Sequence, residues 1–328
     1  MIPEKLKVGD EIRVIAPASS LSLVSKDVKE LALKRLEDMG YSVTFGKYCK
    51  ENDIFSSSSI ESRVKDIHEA FKDKKVKAIL TVLGGFNSNQ LLKYIDYKLI
   101  RDNPKIICGF SDITALNNAI FQKTKMITYI GPHFSSFGMK KGLDYTREYF
   151  VKCLTSDNSY KVEPSKKWSD DAWFLNQNKR EFINNKGPLV INAGSAEGVV
   201  FGGNLCTLNL LQGTEFMPGI KNSVLFIEDD DLVEDSFSME FDRNLQSLID
   251  QPIFKNVKAL VIGRFQKKTD INFDKLKYII KSKKELKDIP VIANLDFGHT
   301  TPMITFPIGG KVKITARGQK LSLDIIEH

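Results

Sequence analysis

An α/β fold built on a parallel sheet is the class this sequence predicts, and three observations predict it. Short, continuous apolar runs such as "VKAILTVLGG", "KIICGF" and "MITYIGP" recur through the first half of the chain. Amphipathic stretches of helical period separate them. Most of the apolar runs also end in glycine, proline or small polar residues. Strands that read as unbroken apolar runs are buried on both faces, as in a sheet covered by helices on each side.

Taken in order, "EIRVIAPAS" is the first strand, and "SKDVKELALKRLEDMG" is a helix stopped at Gly40. "SVTFG" is a short strand. Ser58 and Glu61 form a capping box opening a helix through Phe71. "VKAILTVLGG" is a buried strand running into Gly84 and Gly85, and "NSNQLLKYI" is a helix. "KIICGF" is a strand, "ITALNNAIFQKT" a helix and "MITYIGP" a strand. Beyond about residue 155 the alternation breaks. "TSDNSYKVEPSKKWSDDAWFLNQNKREFINNKG" is polar and aperiodic, so it reads as a linker or long functional loop. A second α/β unit follows: "EGVVFGGNL", the strand "SVLFIEDDD", a helix near 237–250, the strand "VKALVIGRF", a helix near 273–287, "IPVIANLDFGH", and a hairpin in "KVKITARGQKLSLDII". The expected division is 1–155, a linker and substrate loop over 156–198, and a smaller, β-richer unit with a mixed sheet over 199–328.

The 328 residues are 42% hydrophobic and 27% charged, the balance of a soluble globular protein. No run of 18 apolar residues suggests a membrane span, and "MIPEKLKVGDEIRVIAPAS" lacks the apolar core of a signal peptide. The four cysteines are scattered without CxxC spacing, so neither a zinc nor a redox site is expected. Reduced cysteines and no leader give a cytoplasmic expectation. The formal charge of +7 comes from mixed-sign patches such as "KDKKVK", with no aromatic interleaving for stacking on bases. Nucleic acid is therefore not an expected partner, whereas small anions suit the charge.

"NPKIICGFSDITALNN" holds the sharpest candidate chemistry. In an α/β sheet, ligands gather beyond the carboxyl ends of the strands. Ser111 stands there, at a strand–turn–helix elbow that would expose its hydroxyl. A GxSxG elbow would place glycine at Ile113, so helix capping is the competing reading. Cys108, inside the apolar strand, reads as packing. Gly84 and Gly85 form either a tight turn or an oxyanion site whose backbone N–H groups a ligand can approach. Of the four histidines, His299 in "DFGHTTPMITFPIG" and His133 after "YIGP" are candidate bases; His68 and His328 are not. Glu228 ends its strand as an orienting acid would. Asp229, Asp230 and Asp231 behind it lack calcium-loop alternation, so they read as solvated charges and no metal is expected.

Together "GFSDITALNN", "TVLGGFNSNQLL", "VVFGGNL", "LFIED" and "GHTTPMITFPIG", in this order, resemble the LD-carboxypeptidase family of serine peptidases, and more closely its branch of microcin C immunity proteins. The resemblance runs nearly end to end and includes "KKWSDDAWFLNQNK". It implies a catalytic triad of Ser111, Glu228 and His299, an oxyanion hole from the N–H groups of Asp112 and Gly85, a site in the cleft between the two units, no cofactor, and a homodimer. It also implies a tryptophan that stacks on the ligand, for which Trp173 is the better candidate and Trp168 the other. Two substrates stay open: a small anionic peptidyl- or aminoacyl-nucleotide cleaved at its amide, or the bond before the terminal D-alanine of a murein tetrapeptide. A non-catalytic binding protein is the remote third reading. The acidic run and "VEDSF" depart from the immunity branch, which leaves the substrate choice open.

Overall fold

The structure is a computed structural model that describes residues 1–232 and 236–328, so most of the "VEDSF" segment lies outside the described residues. Five parallel strands, β1 (Glu11–Ile15), β2 (Ser42–Phe45), β3 (Val76–Thr81), β4 (Ile106–Cys108) and β5 (Thr128–Ile130), form the first sheet. Helices α1 (Lys26–Asp38), α2 (Ile60–Lys72), α3 (Tyr97–Asp102), α4 (Ile113–Thr124) and α5 (Asp144–Thr155) accompany it. Alternate residues of each strand face opposite layers. Val14, Leu80 and Ile106 pack with Val28, Ala32 and Leu36 of α1 and Phe150 and Leu154 of α5. Ile15, Ile79 and Ile107 pack with Ile67 and Phe71 of α2 and Leu116 and Ile120 of α4. Both faces are covered, as the unbroken apolar runs require.

The next segment adds short strands β6 (Tyr160–Lys161), β7 (Lys167–Trp168), β8 (Ile183–Asn184) and β9 (Leu189–Asn192). Then come β10 (Gly194–Asn204), the short helix α6 (Leu205–Asn209), β11 (Ser223–Glu228), α7 (Phe237–Ile249), β12 (Ala259–Gly263), α8 (Phe273–Ser282) and β13 (Val291–Leu295). The chain closes with β14 (Phe306–Ile308), β15 (Lys311–Arg317) and β16 (Lys320–Glu327). The second sheet runs β6-β16-β15-β10-β11-β12-β13-β9. It is parallel from β10 to β13 and antiparallel at both flanks, the mixed sheet expected. Sheet membership crosses the divisions of the sequence. β6 and β9, from the stretch expected as linker, cover the edges of the second sheet, while β14 pairs antiparallel with β5 on the first.

Three local expectations are corrected. Ser59, not Ser58, caps α2, accepting a hydrogen bond from the Ser62 amide at 3.0 Å, while Ser58 is buried. "NSNQLLKYI" makes only a 3₁₀ turn over Ser88–Leu91, and the amides of Asn87 and Ser88 and the Ser88 hydroxyl at its start are bound to Asp112. Helix α5 was not expected, although Thr146, Tyr149, Phe150, Cys153 and Leu154 bury one face at helical spacing.

Two hydrogen bonds join the second sheet to α4 at the elbow. The Asn118 side-chain amide of α4 donates to the Gly202 carbonyl at 2.8 Å, and the Asn204 amide donates to Thr114 Oγ1 at 2.9 Å. The end of β10 is thereby held on the first turns of α4. Asn204 stands in register with Glu228 at the end of β11. The two strand ends thus lie side by side, and one apolar cluster includes residues of α4 and of both sheets.

Candidate active site

Ser111 follows β4 with φ of +59°, a left-handed conformation that residues with a side chain seldom adopt and that costs of order 1–3 kcal/mol. The capping reading fails here. The cap of α4 is Asp112, whose side chain makes no capping bond. Ser111 Oγ instead lies 3.0 Å from His299 Nε2, and His299 Nδ1 lies 2.7 Å from Glu228 Oε2. A linear relay of hydroxyl, imidazole and carboxylate thus joins residues 188 positions apart.

Each member is held by local structure. Gly84 approaches the elbow so closely that a Cβ there would fall 2.8 Å from Ser111 Cβ, so only glycine fits. The loop carrying Gly84 and Gly85 is tied down by Asp112, whose Oδ2 accepts from the Asn87 amide at 3.0 Å and the Ser88 amide at 2.8 Å. The buried Arg63 guanidinium supports it, donating to Asn87 Oδ1 at 2.9 Å, Gln90 Oε1 at 2.9 Å and the Pro17 carbonyl at 3.2 Å. Burial raises the Asp112 carboxyl above its usual range, against the pull of those hydrogen bonds and of Arg63. Among the described residues neither the Asp112 nor the Gly85 amide has a protein acceptor. Glu228 is 2% exposed. Gly298, at φ +98°, passes so near that a Cβ would meet Glu228 Oε2 at 2.6 Å.

His299 is about one-fifth exposed, and opposing effects act on it. Burial alone would lower its pKa. The Glu228 carboxylate in contact, with Asp230 and Asp229 nearby, outweighs that and raises it to about 9. Asp229 is pushed up to about 8 by burial and by its acidic neighbours. Asp230 Oδ2 lies 3.8 Å from His299 Nε2. The acidic run is therefore not a set of solvated charges. Asp229 is 5% exposed, its Oδ1 accepting from Asn204 Nδ2 at 3.1 Å. Among the described residues no group of three or more His, Cys, Asp and Glu side chains is arranged to hold a metal ion.

His133, the other candidate base, is buried behind the elbow. Its Nδ1 lies 2.7 Å from Thr81 Oγ1, and its ring packs on Phe110 with centroids 4.3 Å apart. Burial, with repulsion from His299, lowers its pKa to about 3, so it stays neutral. Phe110 also packs edge-on to His299, at 5.4 Å. Cys108 is fully buried and its thiol is pushed well above its usual range, so it has no thiolate to offer.

The two tryptophans have different surroundings. Trp168 lies under the Arg264 guanidinium at 5.0 Å, and Arg264 is paired with buried Asp296 at 2.6 Å. That ring already has a partner. Trp173 is partly exposed, resting on the outer cluster of the first sheet and edge-on to Phe174 at 6.0 Å. The segment bearing both is fastened at two ends. Ser165 binds Asp296 through its amide and hydroxyl, and Ser169 and Thr301 exchange two backbone bonds of 2.7 Å, two residues beyond His299. On the first unit Gln177 bonds to the backbone of Lys140 and Gly138, each at 2.7 Å. No local pattern marked Arg63 and Arg264 as buried. Asp230 was visible only as one acid in a run.

Ser111, His299 and Glu228 thus stand in one hydrogen-bonded chain where the two sheets meet, and comparison with known families shows what kind of protein this is. Residues 12–131 match the LD-carboxypeptidase N-terminal domain and residues 197–314 the LD-carboxypeptidase C-terminal domain. The chain belongs to the LD-carboxypeptidase family of serine peptidases. YocD of Bacillus subtilis (strain 168), a carboxypeptidase by name, is 57% identical over 316 residues, 96% of each chain. The crystal structure of an MccF-like protein from Bacillus anthracis str. Ames has 56% identity and a TM-score of 0.99, covering 100% of both chains. The microcin C7 self-immunity protein MccF of Escherichia coli is 33% identical over 338 residues, covering 98% of this chain and 95% of that one. Solved structures of MccF hold aspartyl sulfamoyl adenosine (TM-score 0.89, 31% identity) and glutamyl sulfamoyl guanosine (0.88, 31%). They cover 99–100% of this chain and 98–99% of theirs. A mutant MccF structure holds adenosine monophosphate.

Proposed function

We propose that this carboxypeptidase cleaves the amide joining an aminoacyl or peptidyl group to a nucleotide of the microcin C type, using Ser111, His299 and Glu228 as its triad. One observation carries the reading: the unbroken chain from Ser111 Oγ through the His299 ring to Glu228, at 3.0 and 2.7 Å. In it, Ser111 Oγ attacks the acyl carbon while His299 Nε2 takes the hydroxyl proton. Nδ1–H donates to Glu228, which fixes the tautomer and stabilises the imidazolium. The oxyanion accepts hydrogen bonds from the amides of Asp112 and Gly85. Collapse of the adduct breaks the C–N bond as Nε2–H protonates the leaving nitrogen. Water, deprotonated by His299, then releases the acyl group from Ser111. No step draws on a metal or cofactor.

The nucleotide part of the reading rests on likeness to MccF along almost the whole chain and on the aminoacyl sulfamoyl nucleosides bound in its structures. The net charge of +7 favours anionic ligands. Trp173 supplies the base-stacking surface, since Trp168 is already stacked on Arg264. Purified enzyme incubated with aspartyl sulfamoyl adenosine and, separately, with a murein tetrapeptide tests this by mass spectrometry of products. Free aspartate and sulfamoyl adenosine are expected, and Trp173→Ala slows this reaction about 5- to 150-fold, the worth of one stacked base. Release of D-alanine from the tetrapeptide with the nucleoside left intact would replace this reading by murein recycling.

A further inference from the structure

We propose that Arg63 is a positioning residue for the oxyanion site: it fixes the peptide plane whose N–H, that of Gly85, is offered to the oxyanion. This rests on Ser111 being the nucleophile and on the Gly85 amide receiving the oxyanion, and it adds a group from outside the triad. The plane can be followed bond by bond. In a trans peptide the carbonyl and the N–H of one unit point in opposite directions. The Gly84 carbonyl accepts from the Ser19 amide at 3.0 Å, so the Gly85 N–H in the same plane points away from Ser19. A Cβ on Gly84 would lie 2.9 Å from Ser111 Oγ, so this plane passes beside the nucleophile.

Arg63 holds the chain on both sides of that plane. On one side its guanidinium donates to the Pro17 carbonyl at 3.2 Å, two residues before Ser19. On the other it donates to the Asn87 carbonyl at 3.1 Å and to Asn87 Oδ1 at 2.9 Å, two residues after Gly85. Asn87 is thus gripped at its carbonyl by Arg63 and at its amide by Asp112, the residue that supplies the other candidate oxyanion amide. Ser57 adds a further tie, its hydroxyl donating to the Ala18 carbonyl at 2.6 Å. Arg63 is 3% exposed and shares the buried face of α2 with Ile67 and Phe71. An apolar side chain would occupy that face at less desolvation cost than a cation. What the guanidinium provides is a rigid fork whose several N–H groups reach oxygens on two loops at once.

The test compares Arg63→Met and Arg63→Lys with the unaltered enzyme in three measurements. These are kcat on aspartyl sulfamoyl adenosine, Kd for the same compound by calorimetry on a Ser111→Ala background, and the rate at which a fluorophosphonate labels Ser111. In the labelling reaction Ser111 Oγ bonds to phosphorus, fluoride leaves with the P–F electron pair, and the hydroxyl proton passes to His299. The phosphoryl oxygen then stands where the oxyanion would. Arg63→Met should lower kcat and the labelling rate by roughly 10-fold or more, towards the 10²- to 10³-fold that loss of a whole donor costs. Kd should stay close to its value with Arg63 in place, and Arg63→Lys should recover part of both rates. Asn87→Ala removes one of the bonds to Arg63, should show the same pattern in smaller degree, and carries the test if Arg63→Met does not fold. A Kd that rises while kcat holds, or unchanged rates in folded variants, overturns the proposal. If the unaltered enzyme leaves the nucleoside intact, the nucleotide reading fails and the labelling rates alone decide the role of Arg63. An unaltered enzyme that the fluorophosphonate does not label overturns the proposal together with the nucleophile it rests on.

Discussion

At the scale of single residues, the site balances a base against the acids that surround it. In the proposed mechanism His299 must be neutral to take the proton of Ser111, yet its neighbours raise its pKa to about 9. The sign follows directly: a raised pKa keeps the imidazolium to higher pH, so the acid limb of kcat/KM lies above the ordinary histidine value of ~6.5. Glu228→Gln removes the main neighbouring charge, and the limb should move to lower pH while the maximal rate falls. Asp230→Asn should move the limb the same way. A pH–rate profile with its acid limb at or below ~6.5 in the unaltered enzyme would show that the carboxylates do not govern this base.

At the scale of elements, the long polar segment is the part whose role changes most between sequence and structure. Its composition reads as linker, because two- and four-residue strands such as β6 and β9 are too short to show alternation. Their partners come from the end of the chain and from β13, a long-range pairing that no local pattern announces. The elements that build the site were legible for the opposite reason. β4, α4 and β11 are unbroken runs bounded by Gly109, Lys125 and the acidic cluster. α4 falls on the very residues its periodicity marked. The tie of Ser88 to Asp112, a residue 24 positions away, was not legible in any local pattern. The segment's hold on the second sheet centres on Arg264 and Asp296, each with a side chain 3% exposed. Asp296 also binds Ser165. Asp296→Ala leaves Arg264 buried without its counter-charge, so it should destabilise the fold by about 3–5 kcal/mol in urea unfolding. A loss below about 1 kcal/mol would mean that water replaces the carboxylate and that the anchor lies elsewhere.

For the whole molecule, neither sheet holds a complete site. The first provides Ser111 and the two candidate oxyanion amides, the second provides Glu228, and His299 stands on the loop that runs from β13 of the second sheet to β14 of the first. Docking of β10 on α4 brings them within hydrogen-bonding distance. The central claim is that three groups from two sheets work as one unit. Groups that act in one step fail together, so their removal is strongly non-additive. The most direct measurement is kcat for Ser111→Ala, His299→Ala and the double variant on aspartyl sulfamoyl adenosine. Each single change should lower kcat by roughly 10³-fold or more, with the double variant little worse than either. Losses that multiply in the double variant would contradict the claim, as would a Ser111→Ala enzyme that still turns over at a comparable rate.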